Sequence, residues 1–286
     1  MGPVDDQDVR TPADPRELEK VAVEVAREAA ALALAVRERV VGPGSVADLP
    51  TKSSATDVVT EGDRECETLI RERLDALRAG DVVLGEEGGA DADPAPGQVR
   101  WVVDPIDGTV NYAHGLPWFA VSIGAEVDGR PLAGAVVEPA SGRVWSAAAG
   151  HGASLDGRAL RASALDSTAV AVVATGLGYD PERRRWQAAL LARLAPRIGD
   201  IRRAGCASLD LCSVAAGWVD GFYEHGLNHW DWAAGALIAQ EAGAVVRRPD
   251  VADPDGLGPD AVLAAAPGIA AGLTDLLRRC AAGEVS

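Results

Sequence analysis

Residues Arg100-Trp-Val-Val-Asp104-Pro-Ile-Asp107-Gly-Thr109 place two carboxylates and a hydroxyl at the end of an apolar run. Residues 101–103 read as a buried strand, a short continuous apolar stretch bounded by turn residues. Pro105 holds Asp104 extended, because its ring disfavours the α region for the residue before it. Gly108 then permits the unusual dihedrals of a close backbone approach. Two acids three apart on such a corner can share one divalent cation or hold two neighbouring ones. Hard oxygen ligands favour Mg²⁺, Mn²⁺ or Ca²⁺ over zinc. An Asx-rich turn with a capping aspartate accounts for the same residues without a metal, so the choice rests on the remainder of the chain.

The chain of 286 residues is long enough for one large domain or two smaller ones, each with ample core. No apolar run is long enough to span a bilayer: the alanine-rich stretch 21–36 is broken by Glu24, Arg27 and Glu28 and reads as an amphipathic helix. The start, Met-Gly-Pro-Val-Asp-Asp, is acidic and unlike a signal peptide, so a cytoplasmic location is expected. Four cysteines (Cys66, Cys206, Cys212, Cys280) lack Cys-x-x-Cys spacing and read as reduced thiols. A net charge of −16 argues against nucleic-acid or anionic-membrane partners. An anionic substrate needs a local cationic counterweight, which bound metal ions can supply. Lys20 and Lys52 are the only lysines, and Lys52 is a candidate for the site's mouth or a plain surface residue.

Along the chain, residues 1–14 read as a disordered lead-in and 15–40 as a helix stopped at Gly42-Pro43-Gly44. A short strand is expected at 56–60, a helix from an Asp63 N-cap to about 77, and a strand at 82–84 before Gly85-Glu86-Glu87-Gly88-Gly89. Strands at 120–127, 132–138 and 144–148, separated by Asp128-Gly129 and Ser141-Gly142, make the half 15–163 helices plus a largely antiparallel sheet. The half 164–286 alternates in α/β fashion, with strands at 169–174, near 201, at 221–224, 244–246 and 261–265. Its helices are expected at 181–194, 208–216, 231–242 and up to about 279.

Three further acids stand at element ends, as Asp104 does: Asp63 and Asp231, which double as helix N-caps, and Glu86, which doubles as a solvated loop charge. In order and spacing, Thr60-Glu-Gly-Asp63, Gly85-Glu86-Glu87, Asp104-Pro-Ile-Asp-Gly-Thr109 and Trp230-Asp231-Trp-Ala-Ala-Gly235 resemble the inositol monophosphatase family. These are Mg²⁺-dependent, lithium-sensitive phosphatases, and the similarity runs from Lys52 to Gly243. Arg202-Arg-Ala-Gly-Cys-Ala-Ser-Leu-Asp210 and Tyr223-Glu224-His-Gly are similar to its bacterial branch.

The resemblance implies a layered αβαβα sandwich of the inositol monophosphatase and fructose-1,6-bisphosphatase type, a homodimer, and two or three Mg²⁺ per site, with Mn²⁺ as a substitute. It implies that Glu86, Asp104 and the Ile106 carbonyl hold the first ion, and Asp104, Asp107 and Asp231 the second. Glu86 would help hold a third, weaker one. Asp63 and Thr109 would orient and deprotonate the attacking water. Amides around Gly108 and Thr109 would face the phosphate, while Glu224, Asp231 and the Ala207 backbone would meet a small phosphorylated polyol.

Phosphate-monoester hydrolysis asks for neutralised equatorial oxygens, an in-line water and a stabilised leaving alkoxide, which two nearby dications can supply. Inositol 1-phosphate is the first expected substrate, and Glu224 favours a polyol because a carboxylate accepts hydrogen bonds from ring hydroxyls. Fructose 1,6-bisphosphate, histidinol phosphate and 3′-phosphoadenosine 5′-phosphate are the alternatives on the same fold, and a non-catalytic regulatory protein is the alternative of another class. No Gly-x-Ser-x-Gly elbow or Gly-x-x-x-x-Gly-Lys loop is present. His225 and His229 have the i, i+4 spacing of a zinc pair, but Gly226 and Asn228 oppose the helix it needs. His114 reads as structural, and the seven tryptophans as core and interface.

Overall fold

The computed structural model describes residues 13–40, 61–90 and 92–285. The chain opens with α1 (Pro15–Val40), α2 (Glu61–Leu77), β1 (Val82–Gly85), β2 (Gly89–Ala90), β3 (Val99–Asp107) and α3 (Thr109–His114). A run of hairpins follows: β4 (Ala120–Val127), β5 (Arg130–Glu138), β6 (Arg143–Ala148), β7 (Ala153–Leu155) and β8 (Arg158–Ala159). The remainder is β9 (Val172–Thr175), α4 (Pro181–Leu194), β10 (Asp200–Arg202), α5 (Ala207–Ala215), β11 (Gly221–His225), α6 (His229–Glu241), β12 (Val245–Arg247), β13 (Ala261–Ala265) and α7 (Ala270–Ala282).

Eight strands in the order β2-β1-β3-β4-β5-β6-β7-β8 form one sheet, antiparallel except that β1 runs parallel to β3. The second sheet has the order β10-β9-β11-β13-β12; β9 runs parallel to β10 and β11, and β13 is antiparallel to its neighbours.

Side-chain alternation decides how these stack. Trp101, Val103, Ile123 and Ala135 point to one face of the large sheet, against Val25 and Ala29 of α1 and Ile70 and Leu74 of α2. α1 presents alanines and valines at three- and four-residue spacing, with Ala22, Val25, Ala26, Ala29, Ala33 and Val36 all buried, so it lies close on the strands. Ala120, Val136 and Trp145 reach the opposite face and share a core with Leu211 of α5, Leu237 of α6, and Ala174, Phe222 and Val262 of the second sheet. The outer face of that sheet (Val173, Tyr223, Leu263) is covered by Leu190 and Leu194 of α4 and Leu273 and Leu277 of α7. The layers are therefore α1/α2, large sheet, α5/α6, small sheet, α4/α7: the αβαβα sandwich that the resemblance implies.

Two glycines set how near α6 comes to the large sheet. A Cβ at Gly134 would lie 3.0 Å from the Ala234 Cα, and one at Gly124 would lie 3.2 Å from the Ala233 Cβ. Helix and strands thus meet almost backbone to backbone, and the start of α6 is delivered to the end of β3.

Several expectations need correction. α2 begins at Glu61, which puts Asp63 inside the first helical turn and not at the N-cap. α6 begins at His229 with Asn228 as its N-cap, so Asp231 is its third residue. The expected strand at 169–174 starts later: residues 168–170 form a 3₁₀ turn with Val170 62% exposed, and the strand runs from Val172. The short elements β2, β7, β8 and α3 have no counterpart in the sequence reading. The strand at 56–60, the helix stop at Gly42-Pro43-Gly44, Lys52 and all but Ala13 and Asp14 of the lead-in lie outside the described residues. All four cysteines are buried free thiols. Among the described residues no helix is long and apolar enough to cross a membrane.

Candidate active site

The acids of β3 are brought together by a bulge. Asp104 pairs with Ser122 of β4 and Asp107 with Ala120, so three steps on β3 oppose two on β4. In a regular strand an acid three residues along emerges on the other face; the extra residue restores parity and sends both carboxyls into one cleft. Gly108 follows with φ 88°, a left-handed conformation that turns the chain into α3. A Cβ there would also meet the carbonyls of Gly205 and Trp118 at 3.2 Å. Asn111 of α3 donates through Nδ2 to the carbonyls of Trp118 (2.7 Å) and Ala204 (2.9 Å), tying this corner to the segment that enters α5.

Other elements supply the rest. Because β1 runs parallel to β3 with Gly85 beside Val103, Glu86 leaves its strand next to Asp104. Asp231 reaches the same place from α6, and its Oδ2 accepts the Asn228 amide at 2.7 Å. Asp107 Oδ2 accepts the Ser208 amide (2.6 Å) and the Cys206 thiol (3.1 Å) at the start of α5. Thr109 Oγ1 donates to the Ile106 carbonyl at 3.0 Å and stands 3.4 Å from Asp63 Oδ1.

Together these residues border a cleft of about 370 Å³, within the range of small-ligand sites. Glu86, Asp104, Ile106, Asp107, Gly108 and Thr109 line it together with Ala207, Glu224 and Asp231. Asp63 stands behind Thr109. Its carboxylate, with those of Glu86 and Glu87, forms a group whose oxygens lie within 4.8 Å of one another. The sequence reading gave Glu87 no role; its signal was only adjacency to Glu86.

The electrostatics are severe. Asp104 is 1% exposed, and burial, then Glu86, Asp107, Asp231 and Asp63, push its carboxyl well above the ordinary range. Burial and Asp107 push Asp231 well up in the same way, against the opposing pull of the Asn228 amide. Burial raises Asp107 as well, opposed by its hydrogen bonds to Ser208, Cys206 and Ala207. Carboxyls so placed either take up protons or share cations, and oxygen-rich surroundings of this kind suit Mg²⁺ or Mn²⁺.

The model of the Inositol monophosphatase family matches residues 14–282. The chain belongs to the inositol monophosphatase family. It is 50% identical over 277 residues to an inositol-1-monophosphatase of Mycobacterium leprae, covering 93% of this chain and 95% of that protein. The solved structure of Mycobacterium tuberculosis SuhB superposes with a TM-score of 0.79 at 45% identity, over 93% of this chain and 98% of the other. A protein named Nus factor SuhB from Pseudomonas aeruginosa is 42% identical over 199 residues, 68% of this chain and 73% of its own.

Around the cleft of this family member, two further features bear on ligand contacts. Burial, Asp210 and Asp107 push the Glu224 carboxyl up to about 8, with Arg203 opposing. The Ala207 amide helps hold Asp107, so a substrate hydroxyl approaching it must share that donor. The histidine pair is split between elements. His225 on β11 is 2.6 Å from the Tyr223 hydroxyl through Nδ1, and its Nε2 meets the Leu257 carbonyl. His229 instead pairs with Glu126 at 3.2 Å, which removes the zinc alternative. His114 is exposed at the end of α3.

Proposed function

We propose that this protein is a Mg²⁺-dependent phosphate-monoester hydrolase, acting on inositol 1-phosphate to give inositol and phosphate. The observation that carries the reading is the mutual proximity of the buried Asp104 and Asp107 of a bulged strand and the half-buried Asp231 of a helix start, whose carboxyls desolvation and mutual repulsion drive toward protonation. Mg²⁺ or Mn²⁺, when bound, supplies neutralising charge and Lewis acidity to the phosphoryl group and its leaving oxygen. Glu86, Asp104 and the Ile106 carbonyl would hold one ion, and Asp104, Asp107 and Asp231 a second. The group of Asp63, Glu86 and Glu87 suits the third, weaker position.

The chain's own groups do the remaining work. The Thr109 hydroxyl accepts a proton from the attacking water as its own proton passes toward Asp63, the carboxylate 3.4 Å away. Amides at Gly108 and Thr109, in the first turn of α3 where N–H groups lack helical partners, face the phosphate. Asp107 cannot swing away, because one of its oxygens is held from the start of α5. Glu224, which lines the cleft, meets the hydroxyls of the polyol. A cytoplasmic homodimer acting on a small phosphorylated polyol belongs to the same reading.

The test is phosphate release by purified protein from inositol 1-phosphate, fructose 1,6-bisphosphate, histidinol phosphate and 3′-phosphoadenosine 5′-phosphate, with Mg²⁺ and with chelator. Inositol 1-phosphate should lead by kcat/KM. Asp104→Asn should abolish nearly all release while retaining the folded circular dichroism spectrum. Release that survives Asp104→Asn at saturating Mg²⁺ would remove the two-ion assignment. No release from any member of the panel would turn the reading toward the regulatory alternative, which the name of the Pseudomonas relative keeps in view.

A further inference from the structure

The turn that carries Glu86 and Glu87 is held from beneath by a residue outside the cleft. Glu67 of α2 is buried, 3% exposed, and lies one helical turn after Asp63 on the same face of the helix. Its Oε2 accepts the Glu87 amide at 2.7 Å and its Oε1 the Gly88 amide at 2.8 Å. Arg71, a further turn along, donates from Nε to Glu67 Oε1 at 2.8 Å and from a terminal nitrogen to the Gly89 carbonyl at 2.8 Å. The strand before the turn leaves room for this: a Cβ at Gly85 would fall 2.5 Å from Glu67 Oε1. One helix thus supplies an acid to the Asp63, Glu86 and Glu87 group and also the acceptor that fixes the turn carrying its other two members at Glu87 and Gly88. A buried carboxylate taking two amides and a guanidinium is a costly arrangement, retained here under the very turn that presents the ligands.

We propose that Glu67 is the positioning residue of the Glu86–Glu87 turn and that it sets the divalent-cation affinity of the Asp63, Glu86 and Glu87 group. The proposal rests on the metal part of the function proposed above and not on the identity of the substrate. Removal of a group that orients metal ligands typically lowers metal affinity about 10- to 100-fold. Glu67→Ala should weaken binding of Mn²⁺ by that factor, read without substrate from the electron paramagnetic resonance signal of the free ion. Glu67→Gln keeps the shape and one acceptor oxygen, so it should lose less. Leu194→Ala, in the core under α4 and α7, gives the effect of lost stability alone and should leave Mn²⁺ affinity unchanged. In turnover, Glu67→Ala should raise the Mg²⁺ concentration for half-maximal rate while kcat at saturating Mg²⁺ and KM for the phosphate ester stay near wild type.

Wild-type Mn²⁺ affinity in both Glu67 variants, or an equal loss in Leu194→Ala, overturns the proposal. So does a fall in saturated kcat with Mn²⁺ affinity intact. Failure of the wild type to hydrolyse any ester, with Mn²⁺ binding still dependent on Glu67, overturns the substrate reading and leaves this inference standing. Failure of the wild type to bind Mn²⁺ overturns both.

Discussion

Glu224 lines the same cleft as the β3 acids, and burial, Asp210 and Asp107 push its carboxyl up to about 8. At neutral pH without metal it therefore carries a proton and offers a polyol a donor; cations at Asp107 and Asp231 would draw it back toward the carboxylate. Glu224→Gln copies the neutral form, so its effect should grow with pH. Loss of kcat/KM on inositol 1-phosphate should grow as pH rises and reach roughly ten-fold where Glu224 is ionised, at fixed Mg²⁺, while glycerol 2-phosphate changes much less. A wild-type to mutant ratio that stays flat with pH, or falls equally for both esters, would remove charge at Glu224 as the basis of selection. At this scale, what the sequence made legible was what is contiguous: Asp104-Pro-Ile-Asp-Gly-Thr109 announces a corner of oxygens. Glu67 was invisible, because a glutamate in Glu61-Gly-Asp-Arg-Glu-Cys-Glu67 looks like any solvated helix face. The Cys206 and Ser208 contacts to Asp107 span about a hundred residues and leave no linear trace.

Among elements, β3 and α6 matter most, and each depends on a local departure from regularity. The bulge between Asp104 and Asp107 follows from Pro105, which cannot donate to a ladder and is tolerated at such irregularities. The seat of α6 follows from Gly124 and Gly134. Gly134→Ala puts a methyl 3.0 Å from a helix backbone atom that has no rotamer to escape into. Overpacking of this kind costs about 1–3 kcal/mol, so the urea midpoint should fall accordingly. Because Asp231 rides on the same helix, Mg²⁺ affinity should weaken with it. An unchanged midpoint would mean that helix and sheet adjust freely. Long periodic elements were legible from the sequence: α1, α4, β4 and β13 have the expected bounds, since each carries a strong pattern or a firm stop. The two- and three-residue strands β2, β7 and β8 are too short to display a period and exist because a neighbouring edge pairs with them. Asn228, not Asp231, caps α6, because either polar residue suits the position and only the path of the preceding chain decides.

Across the molecule, the acid cluster makes stability depend on pH in the direction opposite to most proteins. Glu224 moves from an ordinary 4.5 to about 8 on folding, and Asp104 and Asp231 move the same way. Groups raised on folding contribute stability that is fully present below the unfolded value and is lost as pH rises through the folded one. With chelator, the melting temperature should therefore fall between about pH 5 and pH 8; saturating Mg²⁺ should raise it and flatten that slope. A chelated melting temperature that is level or climbs over this window would mean the acids are relaxed without cations. The layered plan has a last consequence, in the order of synthesis. The large sheet is complete by residue 159, but α6, which covers one of its faces, arrives some seventy residues later and brings Asp231 with it. A nascent chain halted in between has Ala120, Val136 and Trp145 without their helical cover and an unfinished set of acids. Until α6 emerges, then, the growing chain has apolar surface available to other chains and only part of the cleft's acids, so synthesis order leaves assembly of the cleft to its last third.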